Sequence, residues 1–102
     1  MRVVHNTTFH VDEAIEGEWI EALAREYIPA ARESCIQTLF TRVRVAGEAG
    51  PAFSLQLFFD GEEACRRFAE EKLPGQLDLL ARRFPGGFQY FCSTLEEVSH
   101  EP

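Results

Sequence analysis

The sequence predicts a single α+β domain of the ferredoxin-like class, with the element order β-α-β-β-α-β. Four β-prone runs alternate in this order with two amphipathic helical stretches, and 102 residues leave room for only one domain. In this fold, two right-handed crossovers place both helices on one face of a four-stranded antiparallel sheet. We therefore expect the spatial strand order 4-1-3-2, a domain over residues 1–98 and a flexible acidic tail over residues 99–102.

The first strand and the first helix have the clearest patterns. Successive residues of Val3–Val11 alternate between two faces, which is typical of a strand. Asp12 then supplies a side-chain acceptor that can cap the following helix. That helix carries an apolar stripe at four-residue spacing, formed by Ile15, Trp19, Leu23 and Tyr27. Because proline lacks a backbone N–H and disfavours helix at the preceding residue, we expect a kink or break at Pro29.

The remaining strands are a hairpin and one final run. Residues 36–45 and Ala52–Phe59 are rich in β-branched and aromatic side chains, and the glycine-containing segment 47–51 between them predicts a hairpin loop. The last strand is expected over residues 88–95, after the helix-ending segment 85–87.

The second helical stretch opens with Asp60 followed three residues later by Glu63, which is a capping-box pattern. Pro74 and Gly75 are expected to interrupt it. The residues expected to face the core are Ala64, Cys65, Phe68, Ala69, Leu77, Leu80, Ala81 and Phe84.

Strand alternation divides the sheet residues between two faces. The helix-covered face is expected to hold Phe9, Val11, Leu39, Val43, Val45, Phe53, Leu55, Leu57 and Phe59. The opposite face, called the open face, is expected to hold Asn6, Thr8, His10, Thr38, Phe40, Arg42, Ser54, Gln56, Phe58, Gln89, Phe91 and Ser93. This mixture suits neither water nor a dry core, so we expect a homodimer with Phe40, Phe58 and Phe91 in the interface.

Composition limits the classes of partner. The net charge is −7, from 17 acidic and 10 basic residues, which gives no support to nucleic-acid binding. No apolar run approaches the roughly 18 residues of a membrane span, and the start lacks a secretory signal, so we expect a cytoplasmic protein without a membrane partner. Neither the 3 cysteines nor the histidines have metal-ligand spacing, so we expect reduced, buried thiols and no metal or cofactor.

Several short motifs carry a family resemblance. They are Asn6-Thr7-Thr8, Val11-Asp12, Trp19, Ile28-Pro29, Phe58-Phe59, Phe91 and Leu95-Glu96-Glu97-Val98. In their order and spacing, the chain resembles a small bacterial family known only as a domain of unknown function, within the dimeric α+β barrels. Tyr27 stands where that family has a histidine, and Cys92 where it has a basic residue. The resemblance implies the ferredoxin-like fold and a dimeric barrel, and it implies neither an activity nor catalytic residues.

Three residues of the open face are candidates to bind a small polar or anionic molecule. Asn6 can orient a carbonyl or oxyanion, His10 titrates near neutral pH, and Arg42 can hold a carboxylate with a forked donor. A hydrogen-bonded interface pair would also explain Asn6 and His10, and a solvated edge-strand charge would explain Arg42. His5, on the other face, is expected to be a buried imidazole with its hydrogen bonds satisfied.

The sequence leaves three functions open. The first, which we favour, is a homodimeric small-ligand-binding or sensing module with a cleft on the open face. The second is a small cofactor-independent enzyme of the monooxygenase type, supported only by analogy of fold. The third is a protein-interaction or structural domain without a ligand. A cleft lined by Asn6, His10 and Arg42 would favour the first function, and a cleft filled by the phenylalanines would favour the third.

Overall fold

A computed structural model describes residues 2–44, 46, 47 and 50–98. The strands are β1 (Val3–Val11), β2 (Gln37–Val43), β3 (Ala52–Phe59) and β4 (Phe88–Glu96). They form one antiparallel sheet in the order β2-β3-β1-β4, which confirms the predicted arrangement. The expected acidic tail over residues 99–102 lies outside the described residues.

The first helical segment begins where the sequence predicts. The Asp12 carboxylate accepts a hydrogen bond of 2.9 Å from the backbone N–H of Ala14, so Asp12 caps the segment. The segment runs through a 3₁₀ turn (Glu13–Ile15), helix α1 (Glu16–Ala22), a π turn (Leu23–Tyr27) and helix α2 (Ile28–Arg32).

The helix does not break at Pro29, and the predicted irregularity takes the form of a π turn directly before the proline, which accommodates it. The backbone N–H of Ile28 donates to the carbonyl of Leu23, five residues earlier instead of four. In a regular α-helix, the ring of Pro29 would clash with the carbonyl four residues before it. The wider turn moves the preceding carbonyls out of that register, so the chain stays helical as far as Arg32.

The second helical segment consists of α3 (Glu62–Glu71) and α4 (Leu73–Arg83). The predicted capping box is wrong: α3 is preceded by Gly61 at the N-cap position, and no side chain bonds the cap. Because the helix starts one residue later than expected, Glu63 cannot reach back to Asp60. It pairs with Arg67 one turn ahead, at 3.1 Å.

The interruption near Pro74 is confirmed, although it falls just before the proline. Lys72 separates α3 from α4, and Pro74 lies in the first turn of α4. The N–H groups of a first turn have no intrahelical partner, so the missing N–H of a proline costs nothing there. Pro74 therefore starts a helix as well as ending the previous one.

Both helical segments pack on the same face of the sheet, around Trp19. Its side chain is fully buried, and its ring centroid lies 4.9 Å from that of Phe9 and 5.1 Å from that of Phe53. The core prediction is confirmed on β1 and β3, where the buried residues include Phe9, Val11, Phe53, Leu55, Leu57 and Phe59.

The core prediction is wrong for β2, whose two faces are exchanged. Phe40 pairs with Leu55 and packs against the core, whereas Leu39 pairs with Gln56 and is 45% exposed on the open face. A shift of one residue in strand phase exchanges every side chain between the two faces. Because β2 is an edge strand with apolar residues in both phases, its pattern does not fix that choice. Val43 moves to the open face with Leu39, and Val45 lies outside the described residues.

Candidate functional site

The centre of the open face is a hydrogen-bonded network around Asn6. The Ser54 hydroxyl on β3 donates to Asn6 Oδ1 at 2.6 Å. Asn6 Nδ2 donates to Thr8 Oγ1 at 3.2 Å and to Ser93 Oγ on β4 at 3.4 Å. These contacts join three adjacent strands and fix the orientation of the amide, so Asn6 presents a pre-oriented polar centre.

His10 lies on the same face but away from this network. Its ring is exposed and stacks on that of Phe91, with centroids 6.5 Å apart and planes inclined by 28°. Asn6 and His10 are four residues apart on β1, which separates their Cα atoms by roughly 13 Å. The structure thus confirms that they share a face, and it does not bring them together at one point.

Arg42 does not lie on the open face, and its predicted place beside Asn6 and His10 is wrong. Its guanidinium pairs with the Glu16 carboxylate of α1 at 2.7 Å and lies over the ring of Phe53, 4.9 Å from the centroid. The reason is the exchanged phase of β2, which also moves Thr38 and Phe40 to the helix side. Within this chain, the three predicted ligand contacts therefore do not form one site.

Exposed apolar side chains surround the polar centre. Phe91 is 56% exposed, Leu95 42% and Leu39 45%. Phe58 lies on the same face, half-buried beneath the guanidinium of Arg2 at 5.7 Å from the ring centroid. The predictions that place Phe58 and Phe91 on this face are confirmed. The same prediction for Phe40 is wrong, because Phe40 packs against the core on the helix side. Leu39 was missed because the phase of β2 is exchanged, and Leu95 was missed although it follows the alternation correctly predicted for β4.

Other titratable groups lie on the helix side of the sheet. His5 is buried as predicted, but its Nδ1 has no hydrogen-bond partner in the described part of the chain, so the expected satisfied imidazole is wrong. Burial lowers the pKa of His5 and raises the pKa of the Cys35 and Cys65 thiols. Cys92 is exposed, contrary to the expectation of buried thiols, and all three cysteines are free.

Two further observations concern metals and membranes. Across residues 2–44, 46, 47 and 50–98, no group of three or more histidine, cysteine or acidic side chains is arranged to hold a metal ion. None of the helices that the structure describes has the length and apolar character needed to cross a bilayer.

Residues 2–98 match the model of a protein family, described as "Domain of unknown function (DUF4286)". No curated protein matches the sequence of the chain. The match agrees with the resemblance inferred from the motifs in the sequence, and it extends over all four strands.

Solved structures with the same fold include dimeric proteins and an oxygenase. A variant of SnoaB, a cofactor-independent oxygenase from Streptomyces nogalater, has a TM-score of 0.68 at 19% identity, covering 99% of this chain and 97% of that one. A dimeric ferredoxin-like protein of unknown function from Thermobifida fusca has a TM-score of 0.60 at 15% identity, covering 93% and 90%. Another dimeric ferredoxin-like protein, from an uncultured marine organism, has a TM-score of 0.63 at 14% identity, covering 98% of both chains. This likeness establishes the ferredoxin-like fold.

Proposed function

Since the chain belongs to the DUF4286 family of unknown function, we propose its role from its own surface: a homodimeric module that binds a small polar or anionic molecule between its open faces. The observation that carries this proposal is the hydrogen-bonded centre around Asn6, set inside a frame of exposed apolar side chains. The dimeric neighbours of the same fold support the assembly.

The apolar frame supports the homodimer. Phe91, Leu95 and Leu39 would leave water on pairing, at about 25 cal/mol per Å² of apolar surface. Strands of 7 to 9 residues give the four-stranded sheet roughly 500 Å² in projection. The accessible surface of side chains exceeds that projection, so it is of the order of the 800 Å² that each partner buries in a stable complex.

The polar centre supports a ligand. When two open faces meet, the hydroxyls of Thr8, Ser54 and Ser93 lose contact with bulk water, which costs free energy unless they are hydrogen-bonded. The proton of Ser54 is used by Asn6, but Thr8 and Ser93 accept from Asn6 and keep their own protons to donate. A small polar molecule or anion in the seam would accept those donors.

Charge does not prevent an anion from binding at this centre. The net charge of −7 repels anions, but salt screens that repulsion beyond about 8 Å under physiological conditions. The hydroxyl donors of Thr8 and Ser93 therefore dominate at contact distance.

Oligomeric state and ligand binding are tested separately. Light scattering at tens of micromolar should give twice the mass of the chain, and a monomer would contradict the assembly. A thermal-shift screen of metabolite carboxylates and polyols should find a compound that stabilises the wild type and Arg42→Ala but not Asn6→Ala, each compared with its own ligand-free midpoint. A compound that stabilises Asn6→Ala equally well would remove Asn6 from the site.

The second candidate function is a cofactor-independent enzyme, and it rests on the likeness to a structure described as a cofactor-independent oxygenase. In such an enzyme, the molecule bound between the open faces would be a substrate that is converted. Oxygen uptake by the protein in the presence of the compound found by the screen would favour it. A dimer that no compound stabilises would favour a protein-interaction or structural domain.

A further inference from the structure

A second recess lies on the other side of the sheet, between the first helical segment and α4. This interhelical pocket has a volume of about 400 Å³ and is lined by side chains that include Ala22, Tyr27, Gln76 and Leu80. The volume falls within the roughly 300–1,000 Å³ typical of small-molecule sites. Apolar side chains make up most of its wall, so an occupant with an apolar body would fit it.

Two buried polar atoms at this pocket lack partners. Tyr27 is 6% exposed, and its hydroxyl has no hydrogen-bond partner among the described residues. The same is true of Gln76 Oε1. Buried polar groups are nearly always hydrogen-bonded, and an orphan is costly. Each of these atoms has almost no accessible surface, so an occupant of the recess can partner them only when the Tyr27 and Gln76 side chains turn toward it.

The charges at the pocket are already neutralised. Arg83 of α4 and Glu26 of the π turn form an ion pair with each other, and the Arg83 guanidinium also lies over the ring of Phe84, 5.6 Å from the centroid. The two opposite charges therefore offset each other at the pocket. Burial also raises the pKa of the Tyr27 phenol, so this hydroxyl stays neutral at physiological pH.

The backbone supplies an independent indication. Tyr27 and Glu26 both lie in the π turn Leu23–Tyr27, which interrupts the α-helix at the pocket wall. A π turn inserts one residue into the helix, and such turns occur frequently at functional sites. This insertion turns the side chains before it relative to those after it, so it sets the direction of Tyr27 with respect to Ala22.

We propose that the interhelical pocket is a binding site, separate from the open face, for a small neutral aromatic alcohol. When these two side chains turn toward the recess, a ligand hydroxyl can donate to Gln76 Oε1 and accept from the Tyr27 hydroxyl. The flat apolar body of the ligand lies against Ala22 and Leu80. This site goes beyond the proposed function, because it needs neither the dimer nor Asn6.

The test uses 2-naphthol as the probe and naphthalene, which lacks the hydroxyl, as its matched control. Titration of 2-naphthol into isotope-labelled protein should give saturable amide shifts around Gln76, Leu80 and Tyr27. Tyr27→Phe should weaken 2-naphthol binding about fivefold to tenfold, as expected for one lost hydrogen bond. Naphthalene should bind more weakly and should not distinguish Tyr27→Phe from the wild type.

The other tyrosine provides the control for this substitution. Tyr90 is 47% exposed on β4, and Tyr90→Phe should leave 2-naphthol binding unchanged. In the free protein, Tyr27→Phe should not lower the melting temperature, because the hydroxyl it removes has no partner. Asn6→Ala should also bind 2-naphthol normally, which separates this site from the open face.

Three results would overturn the inference. The first is the absence of saturable shifts, or shifts confined to the open face. The second is an unchanged 2-naphthol affinity in Tyr27→Phe. The third is a clear loss of stability in ligand-free Tyr27→Phe, which would mean that the hydroxyl already has a partner within the protein. None of these outcomes bears on the dimer or on the screen with Asn6→Ala.

Discussion

The open face and the interhelical pocket differ in whether their central polar atoms are hydrogen-bonded. On the open face, the Asn6 amide is bonded on both sides by hydroxyls from its own and adjacent strands. In the interhelical pocket, the Tyr27 hydroxyl and Gln76 Oε1 are buried without any partner in the described part of the chain. The open face satisfies its central amide internally, whereas the two buried polar atoms at the interhelical pocket have no partner among the residues that the structure describes.

This difference bears on how each region would bind. A face whose central amide is already oriented needs little reorganisation when a second surface covers it, which suits a sheet-to-sheet dimer. A recess with unpaired donors and acceptors gains most from a small molecule that completes them. The two regions lie on opposite sides of one sheet, so both can be occupied at once.

The largest expected effect is on the open face alone. Phe58→Glu puts a charge into the proposed seam, and we expect it to weaken the dimer by about 3 kcal/mol, or roughly a hundredfold in dissociation constant. Leu79→Glu is the control, because Leu79 is 67% exposed on α4, away from the seam. Sedimentation velocity across a concentration series measures both. Equal dimerisation of the two variants would mean that the open face is not the interface.

A second substitution tests whether the Asn6 network lies in a seam. Asn6→Ala leaves Ser54 and Ser93 without their shared partner. Water can replace that partner in a monomer, so we expect a loss of about 1 kcal/mol in the Phe58→Glu background. In the dimer, where water has less access, we expect about 2–3 kcal/mol. Urea unfolding of the four combinations gives the coupling, and equal losses in both backgrounds would contradict a covered network.

The sequence predicts the fold well because its central strands have clear alternation. β1 and β3 each present one strongly apolar face, and Trp19 lies on a regular helical stripe, so their placement follows from period alone. β2 is different: Leu39 and Phe40 are adjacent and both apolar, and as an edge strand it tolerates either phase. That ambiguity alone misplaced Arg42, one of the three predicted ligand contacts, and Phe40, one of the three predicted interface residues.

The interhelical pocket could not be predicted from sequence periodicity. Tyr27 and Gln76 are far apart in the chain, and the sequence predicts only that each lies in a helical stretch. Their relation depends on the π turn, which no residue pattern specified beyond Pro29 itself. The absence of a hydrogen-bond partner becomes visible only when the neighbours in space are known. The sequence singled out Tyr27 as the last residue of the apolar stripe and as a departure from the histidine of the family, but neither observation placed it near Gln76.

His5 allows a pH test on the helix side of the sheet, beneath the open face. Burial lowers its pKa in the folded state, whereas the unfolded imidazole binds a proton near pH 6.5. Below that value, the unfolded state therefore holds more protons, and stability rises with pH. The contribution of His5 to the free energy of unfolding is complete above about pH 6.5. It is lost as the pH falls, by at most about 1.4 kcal/mol per pH unit.

The variant His5→Phe isolates that contribution. Urea unfolding near pH 7.5 and pH 5.5 should show a smaller loss of stability at acid pH for His5→Phe than for the wild type. His10→Gln removes an exposed imidazole instead, and it should keep the wild-type acid response. An acid response that disappears in His10→Gln and persists in His5→Phe would assign it to the open face.

The smallest expected effect on stability concerns Arg42, which was predicted for the open face and lies on the helix side of the sheet. Its ion pair with Glu16 is partly exposed, at 44% and 26% for the two side chains, and it also lies over Phe53. We expect Arg42→Ala to cost about 0.5–1 kcal/mol in urea unfolding. Arg82→Ala removes a more exposed pair and should cost less. If Arg42→Ala left stability unchanged but abolished ligand binding, Arg42 would belong to the open face after all, and the phase of β2 would have to be reversed.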